Sequence, residues 1–207
     1  MIDISWPLSN NTTGYKDRPS VRIESLKEFD RDGACESAIW MTSHSGTHVD
    51  APVHMLKEGK TIDRLSLESF SGHCVVLDLT MVLEKITSQE LQEHADLIKD
   101  GDIVLCKTTN SYQEPTAPFN SNFVYIENTG AQYLVEKKVK AVGIDYLGIE
   151  RNQPGHPTHS ELMSNGIVVI EGLRLAHVEP GRYMIVCLPL NVIGLDGAPA
   201  RAVLLSA

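Results

Sequence analysis

The sequence predicts an α/β fold in which a single domain is built around a mixed β-sheet flanked by a few helices. In the second half of the chain, helical segments alternate with apolar strands that have no polar face, which is typical of strands covered on both sides. In the first half, residues 21–26 and 36–41 show the alternation of an antiparallel hairpin. No Pro-, Gly- or Ser-rich linker divides the chain, so one domain over residues 1–207 is expected.

About nine strands and three or four helices are predicted, without an internal repeat. The predicted strands are short runs rich in β-branched and aliphatic residues: 2–4, 21–26, 36–41, 73–80, 102–108, 141–146, 167–170, 183–188 and 202–205. The predicted helices carry apolar residues at helical spacing: 88–97 with Ser88 as N-cap, 129–137, and 157–164 ended by Asn165-Gly166.

The composition of the chain argues against several classes of protein. With 207 residues, of which 42% are hydrophobic, the chain is long enough to bury a core without disulfides or metal. The formal charge of −9 argues against nucleic acid or an anionic membrane as the main partner. There is no secretory signal pattern, and no run approaches the roughly 18 apolar residues of a membrane span. We therefore expect a cytoplasmic protein.

The cysteines and tryptophans are expected to be core residues. The four cysteines lie in mostly apolar segments and form no Cys-x-x-Cys pair, which predicts small buried hydrophobic residues; they are Cys35, Cys74, Cys106 and Cys187. Trp6 and Trp40 are likewise expected to pack in the core.

Residues 44–54, His-Ser-Gly-Thr-His-Val-Asp-Ala-Pro-Val-His, contain three of the eight histidines. In an extended chain His48 and Asp50 project from the same face, and Gly46 lets the chain turn so that His44 reaches the same point. Two imidazoles and a carboxylate suit Zn²⁺, Mn²⁺ or a similar ion, and this mixture is more typical of catalytic than of structural sites. A divalent metal centre is therefore predicted, with a structural zinc or a metal-free cluster as alternatives.

The same segment resembles the signature His-x-Gly-Thr-His-x-Asp-x-Pro-x-His of the cyclase family of metal-dependent hydrolases, which includes bacterial kynurenine formamidase and isatin hydrolase. All seven fixed positions of the signature are present. The resemblance continues in Asp3-Ile4-Ser5, in Gly143-Ile144-Asp145 and in residues 194–202. It implies the family's swivelling β/α/β-like fold.

The resemblance also implies the remaining site residues. The family's other ligands are a histidine and a glutamate twelve residues apart, which His159 and Glu171 match, whereas the competing His156 lies fifteen residues from that glutamate. Two divalent ions are implied, zinc or alternatively manganese, with Asp50 and Glu171 bridging them. His54 is implied as the general acid/base; the alternative is that its hydrogen bond orients Asp50.

The implied activity is metal-dependent hydrolysis of C–N bonds other than peptide bonds by an activated water. An arylformamidase resembling kynurenine formamidase is expected, converting N-formylkynurenine to kynurenine and formate in tryptophan catabolism. The alternatives are a hydrolase of another amide or lactam, such as isatin, and a non-catalytic metal-binding protein. The partner is expected to be a small-molecule amide, and the resemblance implies a homodimer or homotetramer.

Four further residues have expected roles. The family's Trp-Pro-Gly-Asp-like turn is replaced here by residues 13–19, where Tyr15 is the candidate aromatic for substrate binding. Asp196-Gly197 is interpreted as a tight turn before the last strand. Arg201 is expected to pair either with a substrate carboxylate or with a structural acid.

Overall fold

The computed structural model describes residues 1–206 and confirms the α/β class with a mixed sheet. Within these residues the strands are β1 (Ile2–Asp3), β2 (Val21–Lys27), β3 (Glu36–Met41), β4 (His48–Asp50), β5 (Ser71–Asp78), β6 (Lys85–Ile86), β7 (Ile103–Lys107), β8 (Tyr125–Ile126), β9 (Ala141–Ile144), β10 (Val168–Glu171), β11 (Gly181–Pro189) and β12 (Gly197–Ser206). The α-helices are α1 (Phe29–Asp32), α2 (Ser88–Gln92), α3 (Asn128–Glu136) and α4 (Pro157–Ser164). No helix among the described residues combines the length and the apolar character that crossing a bilayer requires.

Eight strands form one mixed sheet in the order β1-β12-β11-β5-β7-β9-β10-β4. β5, β7, β9 and β10 run parallel to one another, and β11, β12, β4 and β1 join them by antiparallel pairing. Parallel neighbours need long crossover connections, and these carry α2, α3 and α4 in turn. Because β12 also pairs with β4, the sheet curls until its two sides meet.

Apolar side chains on both faces of the sheet are buried, as the apolar strand sequences predict. Val75 and Val104 belong to the cluster that includes Leu134 of α3, whereas the next residues, Val76 and Leu105, belong to the cluster enclosed by the curled sheet. Alternate residues of a strand point to opposite faces, so a run without polar residues supplies both clusters.

Several element boundaries differ from the predictions. The strands β4, β6 and β8 were not predicted, because two or three residues are too few to show a period of two. The N-cap of α2 is Thr87, which forms a capping box with Glu90, and not Ser88; the helix ends at Gln92. β12 begins at Gly197 and includes Pro199, so this segment is strand where the sequence suggested a turn.

Two residues predicted to be buried are exposed. Cys35 is exposed, and the Trp40 side chain on β3 retains 51% of its accessible surface. Trp40 is uncovered because β2 and β3 form a separate two-stranded sheet with no layer over this residue. Trp6 and the other three cysteines are buried as expected. Arg201 donates a hydrogen bond from Nε to Asp3 Oδ1 at 3.0 Å, so its partner is a structural acid.

A buried carboxylate joins the end of β9 to the loop after β7. Asp145, fully buried, accepts hydrogen bonds from the Thr108 N–H at 2.7 Å, the Thr108 hydroxyl at 2.7 Å and the Ser111 hydroxyl at 2.8 Å. Asn110 and the Ser111 N–H approach the same carboxylate at 3.4 and 3.3 Å. Thr108 and Ser111 are themselves buried, so their donors depend on Asp145 for their hydrogen bonds, whereas Asn110 also donates to the Val124 carbonyl.

We therefore expect Asp145→Ala to destabilise the fold, because it leaves several buried donors without an acceptor. The free energy of unfolding, measured by urea denaturation, should fall by about 3 kcal/mol. Asp100→Ala, at an exposed turn, is the control and should change it by less than about 0.5 kcal/mol. Equal stability of the two variants would contradict the role assigned to Asp145.

Candidate metal centre

The segment 44–54 is held in the middle of the curled sheet. Gly46 has a φ of +57°, which turns the chain into β4, and β4 then pairs with β10 on one side and β12 on the other. Thr47 fastens this turn: its hydroxyl donates to the Gly172 carbonyl at 2.5 Å and accepts from the Trp6 N–H at 2.7 Å. A Cβ on Gly172 would lie 2.1 Å from the Gly46 carbonyl oxygen, so the two chain segments can approach this closely only because residue 172 is glycine.

The sheet register places two acidic residues and one histidine of the predicted site side by side. His48 and Asp50 are two residues apart on β4, and Glu171 on β10 lies directly opposite His48. His159 reaches the same place from α4. Glu171 Oε1 also accepts a hydrogen bond from the Ile149 N–H at 2.6 Å, which fixes the orientation of this carboxylate.

The structure brings all five predicted metal ligands together. The imidazole nitrogens lie close to the oxygens of Asp50 and Glu171: His44 Nδ1 is 2.8 Å from Asp50 Oδ1, His48 Nε2 is 3.4 Å from Asp50 Oδ1 and 3.3 Å from Glu171 Oε2, and His159 Nε2 is 3.4 Å from both Asp50 Oδ2 and Glu171 Oε1. Asp50 and Glu171 therefore each lie between imidazoles, and the two oxygens of each carboxylate face different imidazoles.

The hydrogen bonds of His48 test whether this cluster fits a cation. His48 Nδ1 donates to the Gly46 carbonyl at 2.9 Å, so in a neutral ring the Nε2 atom carries a lone pair. That lone pair faces oxygens of Asp50 and Glu171, which are also acceptors. His48 Nε2 and Asp50 Oδ2 are buried and form no hydrogen bond within the described chain. Acceptors that face each other in this way are stabilised by a cation between them.

The separation of these atoms suits a divalent ion. Two ligands of a tetrahedral ion with bonds of about 2.1 Å lie about 3.4 Å apart. The nitrogen–oxygen separations around His48 and His159 are 3.3 to 3.4 Å, longer than hydrogen bonds and equal to this spacing. Imidazole nitrogen and carboxylate oxygen are donors that Zn²⁺ and Mn²⁺ accept. The residues present therefore fit a divalent metal.

Neighbouring imidazoles hold both buried carboxyl groups in the ionised state. Burial raises the pKa of Asp50, but the imidazoles of His159 and His44 outweigh it and hold this pKa well below its usual value. For Glu171, burial and the nearby charge of Asp50 raise the pKa, and the imidazoles of His159 and His48 lower it by more. Two adjacent negative charges are thus balanced by imidazolium groups here, and a divalent ion can replace that positive charge.

The pKa of His44 is set by the same two opposing effects, burial and a neighbouring group of opposite charge. Burial lowers the pKa of His44, but hydrogen bonds to Asp50 and Asp196 raise it to about 9. Its Nε2 lies 2.9 Å from Asp196 Oδ2, while Nδ1 faces the cluster. The ring has room because residue 197 is glycine: a Cβ there would lie 3.0 Å from His44 Cε1.

Glu150 orients His159 and was not predicted. Its buried carboxylate accepts the Thr158 N–H at 3.0 Å, and its Oε1 lies 3.1 Å from His159 Nδ1. This contact directs His159 Nε2 toward the two carboxylates, as is usual for histidines that bind metals. His156, the competing histidine, contacts Glu150 and is largely exposed. The available signal was an acid directly after the apolar run 146–149, a position that Glu171 also has after 167–170, although Glu171 was identified by its spacing from His159.

His54 and Asp196 lie beside the five residues. The ring centroids of His54 and His44 are 4.2 Å apart, and His54 Nδ1 is 3.5 Å from Asp196 Oδ2. Burial is the main influence on His54 and lowers its pKa, so at neutral pH the ring is uncharged and can accept a proton. Asp196 lies in a bend directly before β12, and its carboxylate contacts both imidazoles, a role that the interpretation as a tight turn did not include.

A cavity of about 580 Å³ opens onto the cluster. His44, His54, His159 and Glu171 form one part of its wall, and Tyr15 forms another. The Tyr15 ring packs edge-on against Phe119, with centroids 4.9 Å apart. Burial, Glu171 and Glu150 raise the pKa of the Tyr15 hydroxyl, so it is protonated and can donate a hydrogen bond. A cavity of this size holds a small molecule beside the candidate metal ligands.

Comparisons with known proteins show the family. The Cyclase family model matches residues 2–151, which include the whole 44–54 segment. A kynurenine formamidase from Salinibacter ruber (strain DSM 13855 / M31) is 32% identical over 210 residues, covering 99% of this chain and 96% of the relative. A kynurenine formamidase from Geobacillus thermodenitrificans (strain NG80-2) is 38% identical over 167 residues, covering 80% and 78% of the two chains. The chain belongs to the cyclase family.

Solved structures agree with this assignment. A protein described as a potential metal-dependent hydrolase with cyclase activity has 42% sequence identity and a TM-score of 0.87, covering 98% of this chain and 95% of that chain. An isatin hydrolase bound to the product analogue thioisatinate has a TM-score of 0.88 at 22% identity, covering 100% and 92%. At 22% identity, the similarity to the isatin hydrolase shows a shared fold only.

We expect Asp50→Ala to abolish binding of divalent metal, because Asp50 contributes one oxygen to each side of the cluster. Zinc content after equilibrium dialysis, measured by elemental analysis, should fall from the wild-type value to near zero. Asp96→Ala, at an exposed position, is the matched control and should keep the wild-type content. A full metal complement in a folded Asp50→Ala protein would be incompatible with a shared carboxylate.

Proposed function

We propose that this chain is an arylformamidase that hydrolyses N-formylkynurenine to kynurenine and formate, as in tryptophan catabolism. Its broader class is a metal-dependent hydrolase that acts on C–N bonds other than peptide bonds. The observation that carries the proposal is a buried cluster of imidazoles and carboxylates facing a cavity of small-molecule size, with an additional histidine at its edge. The relatives named kynurenine formamidase support the choice of substrate.

We propose that two divalent ions, zinc or alternatively manganese, are held by the five residues of the cluster: His44, His48, Asp50, His159 and Glu171. Asp50 and Glu171 would serve both ions, because the two oxygens of each carboxylate face different imidazoles. A divalent ion in this position supplies Lewis acidity, which polarises a carbonyl group and makes water a stronger acid.

The chain's own contribution to proton transfer is assigned to His54. Its uncharged ring can take a proton from water and then deliver it to the leaving nitrogen. The carboxylate nearest its Nδ1 is Asp196, which would orient the ring and stabilise it when it is protonated. This contact with Asp196 favours proton transfer over the alternative in which His54 orients Asp50.

Tyr15 is proposed as a substrate-binding residue. Its ring belongs to the cavity wall, and its packing against Phe119 limits the positions that the ring can adopt. An aromatic face of this kind stacks on an aryl amide, and the protonated hydroxyl can donate to an oxygen of the substrate.

The proposal is tested by loading the protein with Zn²⁺ or Mn²⁺ and measuring formate release from N-formylkynurenine. Ring opening of isatin and hydrolysis of a panel of other amides are followed in parallel. If the protein prefers isatin or another amide, that compound replaces N-formylkynurenine as the substrate, and the assignment to the metal-dependent hydrolases stands. Absence of turnover across the whole panel would instead support a non-catalytic metal-binding protein.

We expect His54→Ala to lower kcat by about 10²- to 10⁴-fold, the usual contribution of a general acid/base. The metal content should remain at the wild-type value, because His54 is not among the five proposed ligands. His73→Ala, at an exposed histidine on β5, is the control and should keep both activity and metal. Loss of metal from His54→Ala would identify His54 as a ligand and contradict the assigned role.

We further propose that two copies of the chain associate through the hairpin of β2 and β3. A two-stranded sheet is marginally stable alone in water, yet this one forms a sheet of its own within the described chain. The hairpin and its α1 turn expose large apolar side chains: Leu26, Phe29, Ile39 and Trp40, each at 50% exposure or more. A second copy would cover this apolar surface.

We expect Trp40→Glu to convert a dimer into a monomer, because a charge would then lie in the middle of the contact. Size-exclusion chromatography with light scattering measures the change. Met81→Glu introduces the same charge at a position that is 90% exposed and distant in sequence from the hairpin, and should leave the mass unchanged. A monomeric wild-type protein at micromolar concentration would exclude this mode of association.

A further inference from the structure

The turn at residues 14–18 has an unusual backbone that other contacts hold in place. Lys16 and Asp17 have φ values of +55° and +57°, the left-handed region that residues with a Cβ rarely adopt. The Asp17 carboxylate accepts the Phe119 N–H at 2.7 Å, and the Asp17 N–H donates to the Gly14 carbonyl at 3.0 Å. A Cβ on Gly14 would lie 1.9 Å from the Arg18 carbonyl oxygen, so the turn is too tight for another residue there. Backbone strain that is fixed by surrounding contacts is often associated with function.

This turn brings two cations to the cavity that opens onto the metal centre. Tyr15, Lys16 and Arg18 all line the cavity, and Lys16 Nζ lies 5.4 Å from the centroid of the Tyr15 ring. Lys16 and Arg18 are the Lys and Arg residues of the cavity wall within the described chain. Neither forms an ion pair with a carboxylate among residues 1–206.

The acidic residues of the same wall are already engaged. Glu150 contacts His159, and Glu171 contacts both His48 and His159. The cavity therefore has two chemically different parts. One is an imidazole–carboxylate cluster suited to metal, and the other is cationic, with charges that pair with no carboxylate in the described part of the chain. The chain has a net charge of −9 and so repels small anions overall. The positive charge of Lys16 and Arg18 attracts anions to this part of the cavity.

We propose that the cationic part of the cavity binds a carboxylate of the substrate, so that the enzyme prefers aryl amides that carry a carboxylate apart from the scissile amide. Arg18 is the principal group, because a guanidinium can bind a carboxylate through two parallel hydrogen bonds, and Lys16 adds a second charge. Tyr15 lines the same cavity beside Lys16 and supplies the aromatic contact. This inference rests on the proposed amide hydrolysis and defines its substrate class.

The test compares two ligands that differ at the carboxyl group, which is charged in the acid and neutral in the methyl ester. Binding of kynurenine and of kynurenine methyl ester to the zinc-loaded protein is measured by calorimetry, which requires no turnover. The wild-type protein should bind the acid more tightly than the ester. In Arg18→Ala/Lys16→Ala the ratio of the two dissociation constants should fall about tenfold toward unity, whereas Arg18→Lys should retain part of the preference.

The control is Arg64→Ala/Lys85→Ala, which removes the same two charges at exposed positions outside the cavity wall and should keep the wild-type ratio. Kinetics with N-formylkynurenine and its methyl ester provide a second readout, in which the loss should appear in KM rather than in kcat. Equal binding of acid and ester by the wild type, or an unchanged ratio in the double variant, would overturn the inference. Failure to hydrolyse either formamide while the binding preference persists would instead count against the proposed reaction alone.

Discussion

The central constraint on this structure is the position of two buried carboxylates, Asp50 and Glu171, on neighbouring strands. Adjacent negative charges away from water are costly, so positive charge must lie between or beside them. Three imidazoles surround them, and the Nε2 atoms of His48 and His159 stand 3.3 to 3.4 Å from the carboxylate oxygens, the separation of ligands around one small cation. Removing either carboxylate would leave those imidazoles without the partners that hold them in place.

Closure of the sheet makes this arrangement rigid. β4 has only three residues, yet both of its edges are hydrogen-bonded, to β10 and to β12. The pairing with β10 fixes Glu171 opposite His48, and the pairing with β12 places residue 197 opposite Asp50, next to Asp196. Ligands carried by strands that are bonded on both sides keep their mutual distances, which is the condition for pre-organised binding of a metal.

The parts of the molecule that were predicted correctly are those with a local signal. The parallel strands β5, β7, β9 and β10 are continuous apolar runs, and α4 is bounded by Pro157 and the Asn165-Gly166 pair, so each could be identified in isolation. The contact of Asp196 with His44 joins residues 152 positions apart, and no spacing in the sequence encodes that. The expectation that Trp40 packs in the core was wrong for a similar reason. Burial depends on a covering layer, and within the described residues no layer covers Trp40.

The metal cluster and the turn at residues 14–18 are built from different kinds of structure, and this difference bears on the specificity of the proposed enzyme. His48, Asp50 and Glu171 lie on paired strands, whereas Tyr15, Lys16 and Arg18 lie on a turn held by a few contacts. Under the proposed function, a change within that turn alters what the cavity binds without moving the strands that carry the proposed ligands. One fold would then keep a single hydrolytic centre while the turn determines which amide reaches it.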